Sequence, residues 1–307
     1  MPIATVDKIW MNGELVPWGE AKVHVLTHAL HYGSGVFEGI RAYRTDDGAT
    51  VVFRLTDHLE RLRRSAKLYF MDLPYSVAEL AQATKDVIKA NALDACYVRP
   101  LIYRGYGEMG VSPMQAPVDA AIAVWPWGAY LGDEGVERGI RAKVSSFQAL
   151  GHTQLARAAK ATGQYLNSIL AKVEVTNAGY DEAIMLDAQG HVCEGSGENV
   201  FIVRGGVLYT PLPADGVLEG ITRDTVLQIA AAEGIPAREG TLARSDLVIA
   251  DEAFFTGTAA EIVPVREVDD HLIGEPGPVT RRLQQRYRDI VAGRDAAFAH
   301  FLEPVDG

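Results

Sequence analysis

Lys160 stands in the stretch LARAAKATGQYLNS (155–168), between Ala158-Ala159 and Ala161-Thr162, with Gly163 and Tyr165 following. Two chemistries fit such a lysine. On an alanine-rich helix it is a solvated surface charge. In a pocket of small apolar residues an amine loses hydration and is favoured in its neutral form, a nucleophile toward carbonyl carbons. The second chemistry needs partners elsewhere in the chain.

Three corners supply candidates. VLEGITRDTVLQIA (217–230) runs from Gly220 into a predicted helix with Ile221 and Thr222 in its first turn. Backbone N–H groups and a hydroxyl at a helix start suit a dianionic phosphate, although the pattern taken alone favours an ordinary threonine-capped helix. FTGTAAEIVPV (255–265) offers a similar corner, with Thr256, Gly257 and Thr258 after a predicted strand, and Arg61 can add a guanidinium to the same anion. EGSGENVFIV (194–203) sets Glu194 before a glycine-flanked turn, which alone is only a turn. Pyridoxal phosphate needs a lysine, an anion cradle and a carboxylate that keeps its ring nitrogen protonated. Lys160, the threonine corners and Glu194 provide all three.

Other patterns carry less. Residues 105–110, GYGEMG, spell GxGxxG after a strand, but Pro113 and Pro117 forbid the helix a dinucleotide site requires. His24, His28 and His31 recur at helical spacing without a carboxylate or cysteine at ligand spacing, so packed or hydrogen-bonded histidines are expected and no metal is. Ser196 lacks a nucleophile elbow, because Glu194 stands where that motif needs glycine.

The elements that must position these residues follow from pattern. KIWMNGELVPW reads as a hairpin turning at Asn12-Gly13, and IRAYRTDDGATVVFRL (40–55) as another around Asp47-Gly48. Leu59, Leu62, Ala66 and Tyr69 recur at helical spacing, and Ser76 with Glu79 makes a capping box for a further helix. CYVRPLIYR (96–104) and DAAIAVWPW (119–127) read as buried strands. RAKVSSF, EAIMLD, NVFIVRGGVLYTP and AFFTG read as strands in the second half, with helices at 160–176, 222–233 and 278–292. The expected organisation is a small N-terminal α+β domain (1–126), a linker (127–139) and a larger C-terminal cofactor-binding domain of mixed α/β structure (140–307).

Composition bounds the partners. The formal net charge of −11 argues against nucleic acid or an anionic membrane as a main partner, while leaving room for a small anion. The longest apolar stretch, 120–132, is short for a bilayer and contains Pro126. Cys96 and Cys193 make no disulfide framework, and the N-terminus has no signal layout, so a reduced, cytoplasmic setting is expected.

HALHYGSGVFEGIRAY (28–43), HLERL (58–62), YVRPL (97–101), AKATGQYLNS (159–168), EGSGENVF (194–201), LEGITRD (218–224) and TGTAAEIVPV (256–265) resemble, in order, segments of the branched-chain amino acid aminotransferases, pyridoxal-phosphate enzymes of fold type IV. The likeness runs from about residue 8 to residue 290, almost the whole chain. It implies the two-domain fold of that type, with a barrel-like larger domain. The implied reaction is reversible ping-pong transamination of L-leucine, isoleucine or valine with 2-oxoglutarate. The resemblance makes Lys160 the residue that forms the internal aldimine and shuttles the proton between substrate Cα and cofactor C4′. Glu194 would pair with the ring nitrogen and Tyr165 with the phenolic oxygen. Arg61, Thr222, Thr258 and the Ile221 backbone would hold the phosphate, with Leu218 and Gly220 completing the cofactor site. Tyr97, with backbone groups of Thr258 and Ala259, would receive the substrate α-carboxylate, Ala260 would also line the substrate site, and Arg99 would meet the second carboxylate of glutamate. Phe37, Gly39, Tyr32, Trp127 and Tyr130 would wall the side-chain pocket, Tyr32 coming from a partner subunit in a homodimer or larger homo-oligomer.

Rivals within that fold are D-amino acid transaminases, (R)-amine transaminases and aminodeoxychorismate lyases. YVRPL, TGTAAEI and FEGIR favour the branched-chain type. Outside it stand a nicotinamide oxidoreductase resting on residues 105–110 and a cofactor-free binding protein. Cofactor colour in purified protein separates these.

Overall fold

A computed structural model describes residues 3–127 and 132–306. Tyr130 and part of the expected linker lie outside the described residues. Two compact units emerge: unit 1 comprises residues 1–127, 159–163 and 289–307, and unit 2 comprises 128–158 and 164–288. The five-residue piece holding Lys160 thus belongs to unit 1, although the chain on both sides of it belongs to unit 2.

Unit 1 is an antiparallel sheet with helices on it. Its strands are β1 (Lys8–Met11), β2 (Glu14–Pro17), β3 (Gly35–Phe37), β4 (Ile40–Arg44), β5 (Thr50–Phe53), β6 (Cys96–Arg104) and β7 (Val118–Trp125). They run in the order β5, β4, β6, β7, β1, β2, with Leu302–Pro304 on β5 and β3 on β6. The first hairpin turns as its sequence predicts, with Asn12 at φ 45° and Gly13 at φ 99°. A short α1 (His28–Tyr32) precedes β3. α2 (Leu55–Leu68) buries Leu55, Leu59, Leu62 and Ala66 in one core with Val36, Ile40 and Val98. α3 (Val77–Ala90) starts at the Ser76–Glu79 capping box, with Glu79 N–H donating to Ser76 Oγ at 3.2 Å.

Unit 2 holds β8 (Ile140–Val144), β9 (Glu182–Leu186), β10 (Val192–Gly195), β11 (Asn199–Arg204), β12 (Val207–Thr210), β13 (Ala237–Glu239), β14 (Glu252–Gly257), β15 (Glu261–Val268) and β16 (His271–Leu272). The sheet order is β10, β9, β8, β15, β14, β11, β12, β13, and β10 also pairs with β11. That extra pairing closes six strands on themselves around Ile184, Val200, Ile202, Phe255 and Val263. Parallel neighbours (β8 with β9 and with β15) mix with antiparallel ones, so the expected mixed, barrel-like domain is present. Its helices are α4 (Gly132–Arg138), α5 (Tyr165–Asn177), α6 (Ile221–Ala232), α7 (Arg244–Val248) and all but the last three residues of α8 (Pro278–Val291).

One expectation fails at a decisive place. The helix predicted over 160–176 begins only at Tyr165, after a 3-10 turn at Thr162–Gln164. Ala161 instead forms an antiparallel bridge with Val36, and Thr162 Oγ1 donates to Gly33 O (2.8 Å) and Gly35 O (3.1 Å). Long-range pairing to the end of β3 overrides a local run of good helix formers. Lys160 is on an extended segment, not a helix surface.

Candidate active site

In unit 1 the Lys160 backbone is fixed on both sides. Its N–H donates to Ser65 Oγ on α2 (3.0 Å), and its carbonyl accepts Phe37 N–H (3.0 Å). Its Nζ lies 5.2 Å from the centre of the Phe37 ring. The approach of this segment to the end of α1 requires two glycines. A Cβ on Gly33, which sits at φ 64°, would lie 3.0 Å from Gly163 Cα.

α2 also carries His58 and Arg61. Between β3 and β4, Glu38 is fully buried and accepts Arg61 Nε (2.7 Å), Arg61 Nη2 (2.8 Å) and His58 Nδ1 (2.8 Å). Burial alone raises such a carboxyl, but the Arg61 guanidinium, its hydrogen bonds and His58 outweigh it and hold Glu38 well below the usual range. His58 is pushed down by burial, which its contact with Glu38 only partly offsets. His58, Arg61 and Ser65 follow at helical spacing, so one face of α2 carries both the Glu38 clamp and the hydroxyl that fixes Lys160.

The unit 1 residues expected to meet the substrate form an aromatic wall. Tyr97 lies 5.1 Å from Trp125 and 4.9 Å from Trp127, centre to centre. Arg99 Cζ lies 4.7 Å from the centre of the Phe37 ring, and its Nη2 donates to Tyr97 Oη at 3.3 Å. Arg99 Nε is buried without a hydrogen-bond partner, a donor that suits an added acid. Gly39 is needed here, because a Cβ would stand 2.0 Å from Tyr97 Oη. Tyr32 stands apart, 47% exposed on α1 with its ring 4.5 Å from His28.

In unit 2, Glu194 sits at the seam where β10 pairs with β11. Its Oε1 accepts Arg157 Nη2, and its Oε2 accepts Leu218 N–H at 3.0 Å. Asn199 Nδ2 donates to Leu218 O at 2.9 Å, and a Cβ on Gly220 would lie 1.9 Å from Asn199 Oδ1. Gly220 then begins α6 with no side-chain cap, Ile221 and Thr222 in its first turn. Thr256 Oγ1, at the end of β14, is buried without a hydrogen-bond partner. Thr258, Ala259 and Ala260 make the turn into β15, which Glu261 closes at φ 57°. Tyr165 opens α5.

These features fit pyridoxal phosphate. A helix start behind a glycine with no room for a side chain, together with an orphan buried hydroxyl, suits a phosphate. A carboxylate with one bond on each oxygen still has lone pairs for a ring N–H.

Unit 1 brings together Lys160, Arg61, Phe37, Gly39, Tyr97, Arg99 and Trp127. Unit 2 brings together Glu194, Leu218, Gly220, Ile221 and Thr222. Sequence reasoning passed over Glu38, His58, Ser65, Arg157 and Asn199. Glu38 and His58 lie inside FEGIR and HLERL, and Arg157 inside the lysine segment itself. The available signal was a charged side chain among small or apolar neighbours, which when buried demands a partner.

The remaining motifs make hydrogen bonds and close packing contacts. His28 bonds Ser34 Oγ and Gly110 O, each at 2.7 Å, and His31 bonds Val25 O at 2.8 Å. No helix follows Gly110, and Gly105 is packed so that a Cβ would meet Asp119 Oδ2 at 2.0 Å. Arg104 is buried and donates to the carbonyls of Ala116 and Phe70. Among the described residues no group of three or more His, Cys, Asp or Glu could hold a metal ion, and no helix is long and apolar enough to cross a membrane.

The amino-transferase class IV family model matches residues 35–268. The branched-chain-amino-acid aminotransferase of Escherichia coli K12 is 49% identical over all of both chains. A crystal structure of the Escherichia coli enzyme aligns with TM-score 0.96 at 47% identity, covering 98% of this chain and 100% of that one. The branched-chain amino acid aminotransferase of Thermobaculum terrenum, in its PLP-form, aligns with TM-score 0.93 at 37% identity, covering 98% of this chain and 99% of that one.

Proposed function

The chain belongs to the amino-transferase class IV family, and from that premise we infer that it transfers the amino group of leucine, isoleucine or valine to 2-oxoglutarate, using pyridoxal 5′-phosphate. Its fold is that of the type IV aminotransferases. The cofactor, when bound, supplies the electron sink for the bond broken at substrate Cα.

The observation that carries this reading is Lys160, an amine whose backbone is fixed by Phe37 and Ser65 and whose Nζ lies over an aromatic face. Lys160 would hold the cofactor and carry the proton taken from substrate Cα. Glu194 takes the ring nitrogen, and Tyr165 the phenolic oxygen. Arg61, the Ile221 N–H, Thr222 and Thr258 take the phosphate, with Leu218 and Gly220 shaping that corner. Tyr97 and the Thr258–Ala260 turn receive the α-carboxylate.

The aromatic wall supports a dual specificity. Phe37, Tyr97, Trp125 and Trp127 offer apolar faces to an isobutyl group, and Arg99 among them offers a guanidinium to the second carboxylate of glutamate. An apolar wall separates neighbours one methylene apart by only about 1–3 kcal/mol, so all three branched-chain donors are accepted. Gly39 leaves Tyr97 its place.

Self-association as a homodimer or larger homo-oligomer, with Tyr32 presented to the partner, is part of the proposal. The exposure of Val25, Leu26, Leu30 and Tyr32 supports it. So is a cytoplasmic setting, supported by two free, buried thiols.

Purified protein should be yellow. Lys160→Ala should lose the colour and transamination together, and full activity in that variant sinks the reading. A panel of L- and D-branched-chain amino acids and (R)-1-phenylethylamine against 2-oxoglutarate tests the substrate class. Preference for a D-acid or an amine would overturn it.

A further inference from the structure

Four separate pieces of unit 2 meet at one side chain that the reaction does not itself use. Arg157 is 5% exposed, and each of its guanidinium nitrogens has an acceptor. Nε donates to Gly216 O (2.9 Å), Nη1 to Gln164 Oε1 (3.3 Å) and Nη2 to Glu194 Oε1. Gln164 is held in turn, its Nε2 donating to Ala156 O at 3.0 Å. The loop whose Gly216 accepts from Arg157 continues to Leu218, whose N–H takes the other oxygen of Glu194. Arg157 and Leu218 therefore bracket the carboxylate, one on each oxygen, and Arg157 also ties down the loop carrying the second bracket.

A carboxylate held at one oxygen swings about its χ angles. Held at both, from two directions, it keeps one plane and one set of lone pairs. We propose that Arg157 is the positioning residue that fixes Glu194 for its bond to the cofactor's ring nitrogen, through a planar fork shared among Glu194, Gln164 and the Gly216 carbonyl. The proposal rests on the role given to Glu194 above. All three guanidinium nitrogens of Arg157 are taken up by protein acceptors, so its effect passes through the carboxylate. A lysine cannot replace it, because one ammonium cannot reach the three acceptors in the same fixed geometry.

The test uses the full-length protein loaded with pyridoxal 5′-phosphate isotopically labelled at the ring nitrogen, read by nuclear magnetic resonance. The native protein should give one signal, that of a protonated, hydrogen-bonded nitrogen, constant across the neutral pH range. In Arg157→Met the signal should move toward the unprotonated position and vary with pH. Its kcat should fall roughly 10- to 100-fold while KM for leucine stays within about twofold. Arg157→Lys should lie between the two, and Glu194→Gln should reproduce the methionine variant. A ring-nitrogen signal in Arg157→Met identical to native overturns the proposal. If that variant does not fold, Arg157→Lys decides alone by the same criterion. A native protein that takes up no labelled cofactor overturns the underlying reading instead, and the native spectrum by itself shows this.

Discussion

The pairs Glu38–Arg61 in unit 1 and Glu194–Arg157 in unit 2 use the same two side-chain types in opposite senses. In unit 1 the carboxylate is the fully committed partner: Glu38 is sealed from solvent and takes two arginine nitrogens and a histidine nitrogen. In unit 2 the arginine is the committed partner, with Arg157 giving its three nitrogens to three acceptors. The committed partner is the support, and the other is the residue assigned to the cofactor. A buried charge needs a counter-charge and filled hydrogen bonds wherever it stands. The difference teaches that either sign can serve as scaffold, so residue type alone does not reveal which member of a pair does chemistry.

Removing the scaffold in unit 1 should give the largest effect on stability. Glu38→Gln leaves the Arg61 guanidinium buried without its counter-charge, and breaking such a pair costs about 3–5 kcal/mol. Calorimetric unfolding should show that loss, together with weakened cofactor retention as Arg61 moves. A loss below about 1 kcal/mol would break the comparison, because Glu38 would then not be a scaffold. Acid should find the same clamp. His58 has its folded pKa depressed, so its contribution is present above the unfolded histidine value of about 6.5 and is lost as pH falls below it. Glu38 is depressed too, so a second loss begins as pH falls below the unfolded glutamate value of about 4.3. Stability against pH should therefore fall in two stages on the acid side. Glu38→Gln should remove the lower stage, and a native protein whose stability is flat from neutrality to acid would contradict the assignment.

Each clamp has a glycine beside it, and the pair of alanine variants sharpens the contrast at smaller cost. In Gly39→Ala the new methyl would meet Tyr97 Oη, the hydroxyl Arg99 bonds. In Gly220→Ala it would meet Asn199 Oδ1, and Asn199 holds the Leu218 carbonyl next to the N–H on Glu194. Overpacking of this kind costs about 1–3 kcal/mol. Gly39→Ala should raise KM for both substrates with cofactor retention unchanged. Gly220→Ala should weaken retention of pyridoxal 5′-phosphate, measured by dialysis. The same defect in both variants would mean that the two glycines do not separate substrate binding from cofactor binding.

What could be read in the sequence was the chemistry encoded locally. Asn12-Gly13 turns because two consecutive residues can take positive φ, and Ser76 caps because Glu79 stands three positions on. The family was legible because several motifs occur in a fixed order. Lys160 was misplaced on a helix because Ala158, Ala159 and Ala161 favour one, whereas its conformation is set by Val36 and Ser65, the latter 95 positions away. Arg157 lay in plain view three residues before Lys160, yet its meaning depends on Glu194, 37 positions on. Local propensity carries elements, and it cannot carry partners that only the folded chain brings together.

The smallest expected effect comes from the thiols, one in each unit. Burial pushes both Cys96 and Cys193 up to about 12, so at neutral pH neither presents the thiolate that alkylating reagents attack. Cys193 immediately precedes Glu194, and its Sγ donates to Asp215 O at 2.8 Å, one residue before the loop carbonyl that Arg157 holds. Cys96 pairs across to Ala42 inside the unit 1 sheet. Iodoacetamide should therefore leave the native protein active and both cysteines unmodified for hours. In Arg157→Lys, with the Gly216 loop loosened, Cys193 should become the faster of the two while Cys96 stays protected. Equal acceleration at both sites would show general unfolding and not a local release of the unit 2 clamp, and peptide mapping of the alkylated variant distinguishes them.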